Sequence, residues 1–379
     1  MVAKIQTENK LHVYVMLLWL CFTMASYAGK RDVKLSRISV KKMVNESIFF
    51  SNDVGDRTAN LLYIPLEIDS VRSADLEVTY AEGEDYTVNQ KLGIICLTKK
   101  SKIKSYNLLN NVVGTRRFKN PNNNNQPFLH GEDDFIHSKQ CVVSYTYEHS
   151  DLDKEEIWEK SYQEKFINFK KKLSQKSAKV TLIGDSISVG YNASGFVGAK
   201  PNLPAYGPQV VTSLERMASA KIDFQNISQG GAVAKWALGQ LGAVTKHNPD
   251  LVVIAFGMND SGRSDFESKS DNYEKAIKEI IDQLRSHNAS VEIVLVANML
   301  SNNDFKPHAG HFENRSRLYK IAQVYENIAV ADVMAFTEFL LKRKKFSDIS
   351  GNNLNHPNDF LHGLYAEVIL NVLGYGEIK

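Results

Sequence analysis

Val180-Thr181-Leu182-Ile183-Gly184-Asp185-Ser186-Ile187-Ser188-Val189-Gly190 passes from an apolar, β-branched run into a glycine and then small polar residues. The run has the length of a strand buried on both faces, and the change of composition after Ile183 marks where it ends. A serine two residues past such a strand, opening a helix, stands at the sheet edge. Its hydroxyl faces a crevice, and helix-terminal amides point at any anion that forms there. An Asp/Ser helix cap is the plainer account of the same residues. A phosphate loop fits poorly, because the segment is neither GxGxxG nor GxxxxGK[ST].

The pattern repeats to the C-terminus. Strand-length apolar runs are expected at 180–183, 222–227, 251–256, 291–296 and 328–330, with helical stretches such as 272–285 and 312–325 between them and a last helix near 361–373. Buried strands alternating with helices predict a parallel sheet covered on both faces, an α/β architecture whose ligands sit beyond the carboxyl ends of the strands. After the second run stands Asn226-Ile227-Ser228-Gln229-Gly230-Gly231, where paired glycines let a backbone approach a ligand. After the third stands Gly257-Met258-Asn259-Asp260, which either presents a carboxamide or caps the next segment. Before the last helix stands Asn355-His356-Pro357-Asn358-Asp359-Phe360-Leu361-His362. Asp359 and His362 are three apart, so one turn sets a carboxylate beside an imidazole. An N-cap aspartate with an ordinary helical histidine has the same spacing, as does a metal site built on His356, Asp359 and His362.

Taken in order, GDS, a glycine after the second strand, GxND after the third and DxxH before the last helix resemble the SGNH-hydrolase (GDSL esterase/lipase) superfamily over residues 178–375, with GDSI in place of GDSL. The resemblance implies a flavodoxin-like three-layer α/β/α domain with a parallel sheet. It implies Ser186 as nucleophile, His362 as general base and Asp359 as its orienting partner. The oxyanion hole would be the amides of Ser186 and Gly231 and the side chain of Asn259. Gly231 is preferred to Gly230 because it stands five after Asn226. No metal and no cofactor is implied. The reaction is then attack of Ser186 on an ester carbonyl, an acyl-enzyme, and hydrolysis by water; an acyltransferase differs only in the acceptor. Asp185 and Asp332, at or near strand ends, are read as structural, Asp332 being the other acid available to His362.

Residues 29–150 hold short strand-like runs at 47–50, 61–64, 76–80 and 142–147, broken by glycines and asparagines. They predict a β-rich sandwich or jelly-roll-like domain. Between prolines, 119–127 reads as a loop. Residues 151–177 read as an amphipathic helical linker, with Trp158, Tyr162, Phe166 and Phe169 at helical spacing and a solvated lysine-rich end. Residues 178–379 are the catalytic domain. Lys342-Arg343-Lys344-Lys345 is expected to be another solvated helix end. The polar segment 302–315, with Pro307, His308 and His311, either shapes the cleft or is a surface excursion. Tyr206, Trp236 and Phe305 are candidates for stacking on sugars, though each is as readily core.

Lys4 and Lys10, an apolar stretch over 12–23 and Ser26-Tyr27-Ala28 form a secretory signal pattern, with cleavage near Ala28 and removal of 1–28. An uncleaved anchor is the alternative, but the apolar core is shorter than the ~20 residues that span a bilayer. Cys21 fits a lipoprotein site poorly, because Trp19 and Leu20 are bulky. Export leaves Cys96 and Cys141, either as two buried thiols or as a disulfide that would stabilise by roughly 4 kcal/mol in the chain-entropy account.

The 379 residues carry 46 Lys+Arg against 43 Asp+Glu, too balanced for a nucleic-acid partner, and the 43% hydrophobic content argues against global disorder. The expectation is a secreted or periplasmic serine esterase acting on a small-molecule or polysaccharide ester, with short acyl groups on a carbohydrate favoured. The alternatives are a metal-dependent hydrolase using His356, Asp359 and His362, and a non-catalytic glycan-binding protein.

Overall fold

The computed structural model describes residues 39–53, 57–108, 117–119, 127–149, 165–261 and 266–376. The expected signal segment, most of the 119–127 loop and the 151–164 part of the expected linker lie outside them. Residues 40–148 and 154–379 form one unit. A second unit, 1–39 with 149–153, has only Ser39 and His149 among the described residues.

Nine strands come first: β1 (Ser39–Phe49), β2 (Thr58–Asn60), β3 (Pro65–Ser73), β4 (Thr79–Tyr80), β5 (Tyr86–Asn89), β6 (Ile94–Leu97), β7 (Arg117–Lys119), β8 (Pro127–Leu129) and β9 (Gln140–His149). They form sheets ordered β1-β9-β3-β4, β2-β6-β5 and β7-β8. Ile48, Leu61, Val71, Tyr86, Ile95, Val143 and Tyr145 from the first two sheets and their flanks share one core. The expected strand at 61–64 is instead an irregular connection. There the Leu62 amide donates to Glu46 Oε1 (2.9 Å) and the Leu61 carbonyl accepts from Arg343 (3.1 Å), so no sheet partner is needed. Cys96 and Cys141 are not bridged to each other. Burial pushes the Cys141 thiol up to about 12.

The second half is a three-layer α/β/α fold. Its sheet, ordered β11-β10-β12-β13-β14, is built from β10 (Ser177–Gly184), β11 (Lys221–Ser228), β12 (Leu251–Ala255), β13 (Glu292–Ala297) and β14 (Ile328–Asp332), all parallel. Each strand covers or overlaps the run expected for it. The strands sort their side chains by alternation. Val180, Leu182, Val253, Ala255, Val294 and Val296 face one layer, while Ile183, Val252, Ile254, Ile293 and Leu295 face the other. The first layer is covered by α1 (Ile167–Ser174), α3 (Tyr206–Ala218), α7 (Val333–Leu341) and α8 (Asp359–Val372). The second is covered by α4 (Leu241–His247), α5 (Phe266–His287) and α6 (Ala309–Val324). A short helix, α2 (Ser186–Val189), follows β10 directly. Phe166 and Phe169 are fully buried in the first layer, so this end of the expected linker belongs to the domain.

The β-rich part is joined to the stretch 343–358 by buried polar bonds. Lys344, expected in solvent, has a fully buried side chain that pairs with the equally buried Glu46, which also accepts from Tyr145 Oη at 2.5 Å. The reason lies far off in sequence: the buried Glu46 carboxyl is matched by a cation beside it. Arg343 donates to the Leu61 and Leu92 carbonyls. Asp348 accepts from the Phe49 amide (2.7 Å), Gln140 donates to the Ser347 and Ser350 carbonyls, and Asn358 donates to Ser47 Oγ.

Candidate active site

β10 ends at Gly184, where a Cβ would stand 2.2 Å from Ser188 Oγ and 2.6 Å from the Ala255 carbonyl oxygen. Only glycine lets strand, helix and neighbouring strand meet this closely. Asp185 then caps α2, accepting from the Ile187 amide at 3.0 Å. Full burial pushes its carboxyl up to about 7, against that amide bond. Ser186 follows as the first residue of the helix.

The imidazole that meets Ser186 is His356. Its Nε2 lies 2.9 Å from Ser186 Oγ. Both residues are under a tenth exposed. The pairing expected from DxxH, Ser186 with His362 and Asp359, is not formed. His362 is the fourth residue of α8 and turns into the core, beside the stacked rings of Tyr206 and Tyr365. Its Nε2 comes no nearer to a partner than the Tyr191 carbonyl oxygen at 3.5 Å, and its Nδ1 has no hydrogen-bond partner among the described residues. Burial pulls its pKa down to about 3, so it is neutral at ordinary pH. Asp359 accepts from the Ser194 amide at 2.7 Å and anchors that turn. His356, Asp359 and His362 thus face three different neighbours, and no cluster of three metal-ligating side chains occurs among the described residues.

His356 sits on a loop closed at its base, where the Asn358 amide donates to the Ile349 carbonyl (3.1 Å) and the Gly351 amide to the His356 carbonyl (3.0 Å). Asn352 Oδ1 fastens the loop from inside by accepting the amides of Leu354, Asn355 and His356. The other ring nitrogen, Nδ1, lies 2.8 Å from Asn192 Oδ1, 3.1 Å from Glu132 Oε2 and 3.0 Å from Asn352 Nδ2, two acceptors and one donor. Asn192 cannot be turned over without loss, because its Nδ2 faces the carbonyls of Gly131, Asp133 and Gly351 at 3.2–3.4 Å. Its oxygen therefore faces His356, which assigns the proton to Nδ1 and leaves the Nε2 lone pair for the serine hydroxyl. Sequence reasoning missed Asn192 and Glu132 altogether.

The other expected site residues lie at neighbouring strand ends. Gly184 pairs in register with Ser228 of β11 on one side and Ala255 of β12 on the other. The Gly-Gly turn after β11 and the Asn259 loop after β12 therefore flank Ser186. The Gln229 amide donates to the Gly184 carbonyl (3.1 Å), and Asn259 Nδ2 donates to the Ala232 carbonyl (2.9 Å), tying the two loops together. Gly231 has a positive φ of 76° and open space where a side chain would be, whereas a Cβ at Gly230 would press on the Tyr191 hydroxyl at 2.7 Å. Asp260 accepts from the Ala234 and Gly257 amides, and burial pushes its carboxyl up to about 6.

The 302–315 segment braces this loop. Lys306 Nζ donates to the Met258 carbonyl (2.7 Å) and Asn314 to that of Gly257 (3.2 Å). His311 is buried 3.0 Å from Ser301 Oγ, and burial draws its pKa down to about 3. Asp332 caps α7 and accepts from Tyr319 Oη (2.8 Å), far from any role with His362. Tyr206 is fully buried against Ser188 Oγ, and Trp236 packs on Phe256 in the second layer, so both serve the core. The exposed aromatic at the site is Phe196, half exposed and stacked on Tyr191 at 4.8 Å, whose ring meets His356 edge-on at 5.3 Å.

Residues 182–364 match the model of the GDSL-like Lipase/Acylhydrolase family. This match, over just under half of the chain, goes with an SGNH fold and indicates an ester-bond hydrolase. No curated protein matches the chain. Similar solved structures include a variant of an acetyl xylan esterase from Geobacillus stearothermophilus, 21% identical over 53% of this chain and 97% of its own, with a TM-score of 0.44. Another is the lipase/acylhydrolase from Enterococcus faecalis, 20% identical over 51% of this chain and 93% of its own, with a TM-score of 0.40.

Proposed function

We propose that the protein hydrolyses esters through an acyl-enzyme on Ser186, with His356 as general base, and that it removes short acyl groups, acetyl above all, from a carbohydrate outside the cytoplasm. The observation that carries the chemistry is the 2.9 Å contact between Ser186 Oγ and a His356 Nε2 freed to accept by its held Nδ1. His356 takes the hydroxyl proton as Oγ attacks the carbonyl carbon. The oxyanion is received by the amides of Ser186 and Gly231 and by Asn259, whose amide is oriented through its bond to Ala232. The imidazolium returns the proton to the leaving alcohol. Water then enters, loses a proton to Nε2 and releases the acid.

The carbohydrate reading is supported by the Phe196–Tyr191 pair, an apolar ring platform beside the base of the kind on which the C–H face of a sugar packs. Export is supported by the charged, apolar and small-residue order of the first 28 residues.

The test is a panel of acetylated sugars and nitrophenyl esters of rising chain length, run on the wild-type protein and on Ser186→Ala and His356→Ala. Each substitution is expected to lower kcat by at least about 10³-fold. Undiminished turnover in either refutes the chemistry, and preference for long acyl chains refutes the carbohydrate reading alone.

A further inference from the structure

We infer that Glu132, supplied by the β-rich part of the chain, is the carboxylate that supports His356, so that the catalytic centre is completed from outside the hydrolase domain. The inference rests on the Ser186–His356 reading and extends it. A DxxH spacing would set a carboxylate three residues before the base. That position here is Asn353, whose amide is spent on the Leu129 carbonyl at 2.7 Å. Asp359, the nearest acid in sequence, is held by Ser194. The carboxylate that does reach the ring is Glu132, with Oε2 3.1 Å from His356 Nδ1.

Its position is built rather than incidental. Asn352 Nδ2 donates to Glu132 Oε1 at 3.1 Å, and the same residue's oxygen organises the His356 loop, so one side chain sets both partners. The backbone around Glu132 is laced to the site as well: Asn192 reaches the Gly131 and Asp133 carbonyls, and Asn353 reaches Leu129. The Glu132 carboxyl is held below its ordinary range. Burial raises it, but the bonds and charge of His356 and the Asn352 bond outweigh that. Of the three polar atoms around Nδ1, Asn352 Nδ2 (3.0 Å) is a donor, and the two acceptors divide the work. Asn192, at 2.8 Å, takes the ring N–H and fixes the tautomer, while Glu132 supplies the negative charge that favours the imidazolium formed when Ser186 attacks. Glu132 touches no reacting atom and is a positioning residue. The matched domain, 182–364, begins 50 residues after it.

The test uses the full chain and a short-chain ester. Glu132→Gln is expected to lower kcat by about tenfold to a hundredfold and leave KM within about twofold, because it removes charge and not a substrate contact. Glu132→Asp should recover part of the loss. The side chain is half exposed (52%), so the space left by Glu132→Ala is open to solvent. Added formate should restore turnover to Glu132→Ala and not to Glu132→Gln, whose amide fills the space. Ser186→Ala and His356→Ala run alongside. If both are inactive and Glu132→Gln turns over within twofold of wild type, the Glu132 assignment is overturned and the serine chemistry stands. If either is fully active, both fail together. A loss in Glu132→Ala that formate does not touch, or a rise in KM with kcat unchanged, also overturns the assignment.

Discussion

Replacing His362 by phenylalanine separates the role of this helical histidine from that of His356 and can be worked through in numbers. The imidazole is fully buried beside Tyr206 and Tyr365, and its polar approach, to the Tyr191 carbonyl, is a long 3.5 Å. A phenyl ring keeps the ring contacts and removes a buried nitrogen that lacks a partner among the described residues, so at pH 7 the change should cost within about 1 kcal/mol. Acid alters the balance. The folded pKa of His362, about 3, lies below the ordinary value near 6.5, so as pH falls the unfolded chain takes up a proton that the folded chain refuses. Wild-type stability from this group is complete above pH 6.5 and is lost on acidification towards 3. One and a half pH units below 6.5, at about 1.4 kcal/mol each, give roughly 2 kcal/mol at pH 5. The variant has no such loss. Urea unfolding at pH 7 and pH 5 should therefore show His362→Phe gaining about 2 kcal/mol on wild type at the lower pH, with ester turnover at pH 7 within about threefold of wild type. A stability difference that does not move with pH would refute the burial argument. A thousandfold loss of turnover in a folded variant would refute the assignment of the base to His356.

Three further outcomes follow from the same geometry. Asn259→Ala removes one oxyanion donor and should cost about 10²–10³ in kcat with a smaller effect on KM, read by steady-state kinetics. Gly351→Ala would bring a Cβ to 2.5 Å from Asn192 Cβ, so the His356 loop must shift; kcat should fall by tenfold or more while the melting curve stays cooperative. Lys344→Ala leaves Glu46 fully buried without its cation and should destabilise the fold by about 3–5 kcal/mol in denaturant titrations.

The parallel sheet was legible because each strand is a short apolar run buried on both faces, a signal carried by its own residues. The placing of Ser186, Gly231 and Asn259 at neighbouring strand ends was legible for the same reason: each stands a few residues past such a run. The histidine was not, because spacing alone favours Asp359 and His362. A better signal was present. Leu361, His362, Tyr365, Ala366, Val368 and Ile369 follow the apolar period of α8, which puts His362 in the core, whereas His356 stands in an asparagine-rich loop ahead of a proline. Glu132 had no local signal at all. It is 224 residues from His356 in sequence, and only the packing of β8 and its following loop onto 350–358 makes them neighbours. The basic run at 342–345 misled for a similar reason, since the buried partner of Lys344 is Glu46, 298 positions away.

The Glu46–Lys344 pair has a consequence for the order in which the molecule is made. Glu46 leaves the ribosome 298 residues ahead of Lys344, so the carboxyl waits through that interval for its counter-charge. Joining such distant partners is a slow, non-local closure. Until it happens, the β-rich part and the stretch 343–358 lack this buried link.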